Sequence, residues 1–129
     1  MAKLDQAQLL EIFKVLKKEM KPYEKGVMKA RFDIEGKYDL WAEKQITVAG
    51  RKMDACSFAA IIVQSSYVGF YYMPIYGSEK VRAQIDPELL KCLKGKACFH
   101  IKSAEPSLIN HVREALKIGY DCYKKMDWV

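Results

Sequence analysis

Three features of this 129-residue chain predict a single α+β domain built on an antiparallel sheet. An amphipathic stripe at helical spacing opens it, short alternating strands with tight turns fill the middle, and a second apolar helical stripe closes it. The turns between strands leave no room for crossover helices, so neighbouring strands should run antiparallel. The length is that of one domain, residues 1–129. A chain this long buries about two-thirds of its unfolded surface and needs no staple to fold.

Residues 4 to 21 place Leu9, Ile12, Phe13, Leu16 and Met20 on one helical face, with Lys14, Lys17, Lys18 and Lys21 opposite. Asp5 suits the N-cap and Pro22 the stop. Met28, Ala30, Phe32 and Ile34 then alternate with Lys29, Arg31, Asp33 and Glu35, the period of a half-buried strand. Glu35-Gly36-Lys37 turns the chain into Tyr38–Trp41. Ala49-Gly50 joins strands over 44–48 and 51–55 as a hairpin.

Residues 56 to 63 are apolar or small on both faces and read as a central strand. Gln64-Ser65-Ser66 turns into a tyrosine-rich strand that Pro74 ends. Asp86-Pro87-Glu88 has the signature of a short helix start, running through Leu89, Leu90 and Leu93 to Gly95. Ala97 to Lys102 is a further strand. The final helix buries Leu108, Ile109, Val112, Ala115, Leu116, Gly119, Tyr120 and Tyr123 against the sheet. The expected order is an N-terminal helix, a meander of about five to six strands, a short helix, a further strand and a C-terminal helix packed on the sheet.

Half the residues are hydrophobic and 29% are charged, the balance of a soluble domain. No apolar run approaches a membrane span, and Met1-Ala2-Lys3-Leu4-Asp5 lacks a signal-peptide core, so the expected location is cytoplasmic. The cysteines at 56, 92, 98 and 122 have no metal-ligand spacing and read as reduced thiols. The net charge of +6 gathers in residues 14–21 and 91–102, which would favour anionic partners, although an ordinary soluble surface is the plainer reading of such patches.

Cys98 and His100 share a strand face and are the sharpest candidate pair for nucleophilic chemistry. The pattern is common by chance, and a half-buried cysteine beside a hydrogen-bonded histidine is the plainer reading. His111 reads as a solvated helix residue. Asp33, Glu35 and Asp39 cluster around one hairpin, but intervening lysines argue for a solvated surface over an iron site. Residues 67 to 76 hold no basic residue and depart from the RNA-recognition pattern, which argues against a nucleic-acid platform. No recognisable active site, metal site or cofactor motif is present.

The run Tyr67-Val68-Gly69-Phe70-Tyr71-Tyr72-Met73-Pro74, the stretch Lys94-Gly95-Lys96-Ala97-Cys98-Phe99-His100-Ile101 and the closing helix resemble the YdhG-like bacterial domains. The similarity is strongest from about residue 56 onward. The resemblance implies a compact α+β domain with an antiparallel sheet. Some family members are labelled frataxin-like iron chaperones, whose acidic surface would deliver iron for iron–sulfur assembly. This chain departs from that pattern, with a pI near 9.1 and a lysine-studded first helix.

The expectation is a non-enzymatic binding module that holds a small anionic or aromatic molecule, or an acidic protein partner, on its tyrosine-rich sheet face. Tyr67, Tyr71 and Met73 share one strand face, and Lys96, Cys98 and His100 would join them from an adjacent strand. A frataxin-like iron chaperone and a Cys98/His100 enzyme are the alternatives. The chain is expected to be a monomer, or a weak homodimer if exposed aromatics pair.

Overall fold

The computed structural model describes residues 4–129; residues 1–3, part of the stretch read as lacking a signal-peptide core, lie outside them. Helix α1 (Gln6–Met20) runs into a 3-10 turn at Lys21–Tyr23. The Asp5 carboxylate accepts from the Gln8 N–H at 2.8 Å, and Gln8 Oε1 accepts from the Asp5 N–H at 2.9 Å. This reciprocal box satisfies two otherwise orphaned donors. Strands β1 (Met28–Ile34), β2 (Lys37–Ala42), β3 (Ile46–Val48), β4 (Arg51–Met53), β5 (Cys56–Val63) and β6 (Val68–Tyr72) follow. A 3-10 turn at Met73–Ile75 leads to helices α2 (Glu79–Arg82) and α3 (Pro87–Leu90). Strands β7 (Leu93–Lys94) and β8 (Cys98–Ile101) and helix α4 (Pro106–Lys125) complete the fold.

Six strands form one antiparallel sheet in the order β1-β2-β5-β6-β8-β7, and β3 and β4 pair only with each other as a separate ribbon. One sheet face carries Leu40, Ile61, Phe70, Tyr72, Phe99 and Ile101, all fully buried beneath α1 and α4. The helices are clasped together by Arg113, whose guanidinium grips both oxygens of Glu19 at 2.7 and 3.0 Å. That bond holds the Glu19 carboxyl below its ordinary range, against a smaller opposing effect of burial. Among the described residues no helix is long and apolar enough to cross a membrane.

Four local expectations are corrected. In β1 the pairing shifts between Ala30 and Phe32, a bulge at Arg31. An extra residue inverts the side-chain alternation, so Phe32 and Ile34 stand on the opposite face from Met28, 45% and 59% exposed. The helix begun at Asp86 stops at Leu90, and Leu93 enters β7 instead. Helix α2 was not expected; Ser78 caps it by accepting from the Val81 N–H at 3.2 Å. The ribbon β3–β4 leaves the main sheet instead of extending it.

The ribbon's turn places Ala49 at φ +50° and Gly50 at φ +79°. Two left-handed residues match the twist of a tight hairpin, but alanine is strained there. Ala49→Asn is therefore expected to stabilise the chain by about 0.5–1 kcal/mol, since asparagine tolerates this region by local hydrogen bonding. A thermal melt of the variant checks this, and an unchanged or lowered Tm would count against strain at the turn.

Candidate functional site

A concavity of about 790 Å³ lies where the sheet, the ribbon and the far end of α4 meet. Sites for small molecules are commonly about 300–1,000 Å³ and mostly apolar. Trp41 of β2, Val48 and Met53 of the ribbon and Cys56 and Ser57 of β5 form one side. Met73, Pro74 and Tyr76 and the adjoining α2, with Lys80 and Val81, form the second. Ile118, Asp121, Cys122, Tyr123 and Lys125 of α4, with Met126 and Trp128 beyond it, close the third.

Local chemistry explains each wall. Asp127 adopts φ +59° just past α4. Its N–H bonds to the Lys124 carbonyl at 3.1 Å, and the Trp128 N–H reaches the Tyr123 carbonyl at 2.9 Å. This left-handed cap folds the chain back, and the Trp128 ring packs edge-on to Tyr123 at 5.0 Å. The second wall is anchored by Gly119 on α4, where a Cβ would lie 2.6 Å from Pro74 Cγ. The Tyr123 hydroxyl donates to the Ser57 carbonyl at 2.7 Å, tying α4 to β5. Burial pushes the Cys56 thiol up, so it stays protonated at neutral pH.

Among the charged residues of the lining, Asp121 is matched by Lys117 at 3.1 Å. Lys80 and Lys125 have no ion-pair partner among the described residues. The Trp41 indole N–H is buried and meets no acceptor in bonding geometry among the described residues, while Arg31 lies 3.9 Å over its ring. Burial pushes the neighbouring Asp39 carboxyl up, opposed by that indole N–H and by Lys37 and Arg31.

Of the six residues read from sequence as ligand-binding, four come together on the sheet face that carries no helix. β8 is hydrogen-bonded to β6, with Gly69 opposite His100 and Tyr71 opposite Cys98. The Tyr67 and His100 rings stack at 3.7 Å and 10°. Tyr71 lies over Gly69, where a Cβ would meet its ring at 2.8 Å, and its hydroxyl accepts from Gln64 Nε2 at 3.2 Å. These rings already have partners. Met73 lies past the end of β6, in the 3-10 turn with Pro74, and lines the cavity. Lys96 is also elsewhere, with Nζ 5.7 Å from the ring centre of Tyr76 at the cavity rim.

Burial pushes the Cys98 thiol up, and burial with the charges of Lys102 and Lys94 pulls His100 down. An activated thiolate–imidazolium pair needs both shifts in the other direction. The hairpin carboxylates do not converge either. Asp33 binds Lys17 and Lys21 beside α1, whereas Asp39 pairs across from Phe32 on the uncovered face. Among the described residues, no three His, Cys, Asp or Glu side chains gather to hold a metal.

His111 is less solvated than its sequence context suggests. Its Nε2 lies 3.5 Å from Asp86 and 3.6 Å from Glu88, while Nδ1 lies 3.2 Å from Glu114. Burial pulls its pKa down, but the Glu114 hydrogen bond and the charges of Asp86, Glu88 and Glu114 outweigh that and raise it. A raised folded pKa adds stability that is complete below the unfolded value, about 6.5, and is lost as pH rises through the folded value. His111→Gln is thus expected to lower Tm at about pH 5.5 and to matter little at about pH 8.5. Equal losses at both would remove the ionic account.

Most of the cavity was missed from sequence because its walls come from seven separate elements: β2, β3, β4, β5, the Met73–Ile75 turn, α2 and α4. The available signals were Met126 and Trp128 standing apolar among charged neighbours, and the Ser78-Glu79 helix start. Compared with protein-family models, curated proteins and solved structures, the chain matches none.

Proposed function

We propose that this chain is a binding protein for a small, mainly apolar or aromatic molecule that carries an anionic group, held in the cavity beside α4. The observation that carries the reading is a concavity of about 790 Å³ with apolar walls, in which Lys80 and Lys125 are the cations left without a carboxylate among the described residues. An apolar body would be desolvated against Trp41, Val81 and Ile118, and the anion would sit between the lysines. The YdhG-like resemblance belongs to this proposal and rests on the runs 67–74 and 94–101. The uncovered sheet face, where Lys94 and Lys102 flank the Tyr67–His100 stack, is the other place such a molecule could meet rings and charge.

Both tryptophans of the chain, Trp41 and Trp128, line the cavity, so occupancy has an intrinsic reporter. Titration with anilinonaphthalene sulfonate, an aromatic anion, is expected to quench their emission. The Lys80→Glu/Lys125→Glu double variant should bind it about tenfold more weakly, about 1.4 kcal/mol, yet bind neutral phenylnaphthylamine almost unchanged. Tyr71→Ala should leave the titration as it is. Loss of binding in Tyr71→Ala with the lysine variant unaffected would move the site to the sheet face.

A further inference from the structure

The described methionines divide into two groups. Met20 and Met28 are sealed in the core, 0% and 1% exposed, whereas Met53, Met73 and Met126 are 42%, 37% and 53% exposed. All three exposed ones line the same cavity, although they come from the ribbon, the turn after β6 and the end of α4. Tyr76, 54% exposed, stands among them. Thioethers are flexible and polarizable, so such a rim adapts to apolar shapes. Hydroperoxides also convert thioethers into polar sulfoxides.

We propose that Met53, Met73 and Met126 form an oxidisable collar, which hydroperoxides convert to sulfoxides and thereby weaken the cavity's hold on its apolar ligand. The inference rests on the binding role proposed above. In each step the thioether sulfur gives a lone pair to the terminal oxygen of the hydroperoxide. The O–O bond breaks, an S–O bond forms, and the remaining oxygen leaves with the proton as water or an alcohol. Sulfur is oxidised by two electrons and the peroxide is reduced by two. The product carries a strong S–O dipole, and burying it under an apolar ligand without a hydrogen bond is unfavourable. Selectivity comes from burial: the sealed positions are shielded, and the collar is open to solvent.

Cys56 and Cys122 also line the cavity, so thiol oxidation is the competing event. The protein is treated with hydrogen peroxide, mapped by peptide mass spectrometry, and titrated with anilinonaphthalene sulfonate. Each peptide bearing Met53, Met73 or Met126 should gain one oxygen before those bearing Met20 or Met28. Affinity should fall about tenfold, and methionine sulfoxide reductase with dithiothreitol should restore it where dithiothreitol alone does not. The Met53→Leu/Met73→Leu/Met126→Leu variant, whatever affinity it starts from, should keep that affinity after peroxide. Oxidation at Met20 or Met28 as fast as at the collar overturns the proposal. So does recovery with dithiothreitol alone, or an equal loss of affinity in the leucine variant. A native protein that never binds the probe overturns the cavity reading itself, and the collar with it.

Discussion

Tyr72→Ala is expected to destabilise the chain by about 3–5 kcal/mol, the range for emptying a fully buried aromatic site. Tyr72 has no exposed surface. Its ring lies 5.6 Å from Phe70 and 6.2 Å from Phe99 in the layer between sheet and helices. Its hydroxyl donates to the Ala115 carbonyl of α4, so the side chain crosses the whole interface. A domain of this size is held by only about 5–15 kcal/mol, so the variant should sit near the edge of folding. Tyr72→Phe keeps the ring and should cost only about 1 kcal/mol. Urea denaturation of both variants measures this as a shift in midpoint at constant slope. If the phenylalanine variant were as damaging as alanine, the hydroxyl rather than the packing would be the main contributor.

Gly119→Ala is expected to destabilise as well, although the same change inside most helices stabilises by about 1 kcal/mol. A Cβ there would lie 2.6 Å from Pro74 Cγ, 2.7 Å from the Tyr72 hydroxyl oxygen and 2.9 Å from Tyr72 Cε1. The proline ring is rigid and Tyr72 is wedged, so α4 must move away from the Met73–Ile75 turn. Overpacking of this kind costs about 1–3 kcal/mol, enough to cancel the helix gain and reverse its sign. The turn is a wall of the cavity, so anilinonaphthalene sulfonate binding should weaken along with Tm. A rise in Tm would mean that the helix and the turn have slack the geometry does not show.

The same contrast between local pattern and tertiary contact explains what the sequence revealed. The stripe of α1, its Asp5 cap and the Pro22 stop are local, and each stands where the spacing put it. Tyr67, Tyr71, Cys98 and His100 were legible as partners because period-two alternation gives each strand's face. Strand adjacency then supplies the rest. Phe32 and Ile34 were misplaced because a single inserted residue inverts that alternation, and Arg31 carries no glycine or proline to mark a bulge. The cavity was illegible for another reason. Trp41, Met53, Met73 and Trp128 are far apart in sequence and meet only after the ribbon and the end of α4 have folded back. His111 gathers Asp86 and Glu88 in the same way, across some twenty residues of chain.

The strand order also bears on how the chain behaves in a crowd of its own copies. Its most fibril-prone stretches in composition are Cys56–Val63 and Val68–Tyr72, apolar, β-branched or aromatic and nearly free of charge. Both are interior strands, hydrogen-bonded along each side. The edges are left to β7, two residues long, and to β1, interrupted at Arg31 and studded with Lys29, Arg31 and Asp33. Neither presents the long, flat, uncharged ladder on which another copy could add a strand. The bulge that exposes Phe32 and Ile34 thus also breaks the rail along which they would otherwise nucleate aggregation.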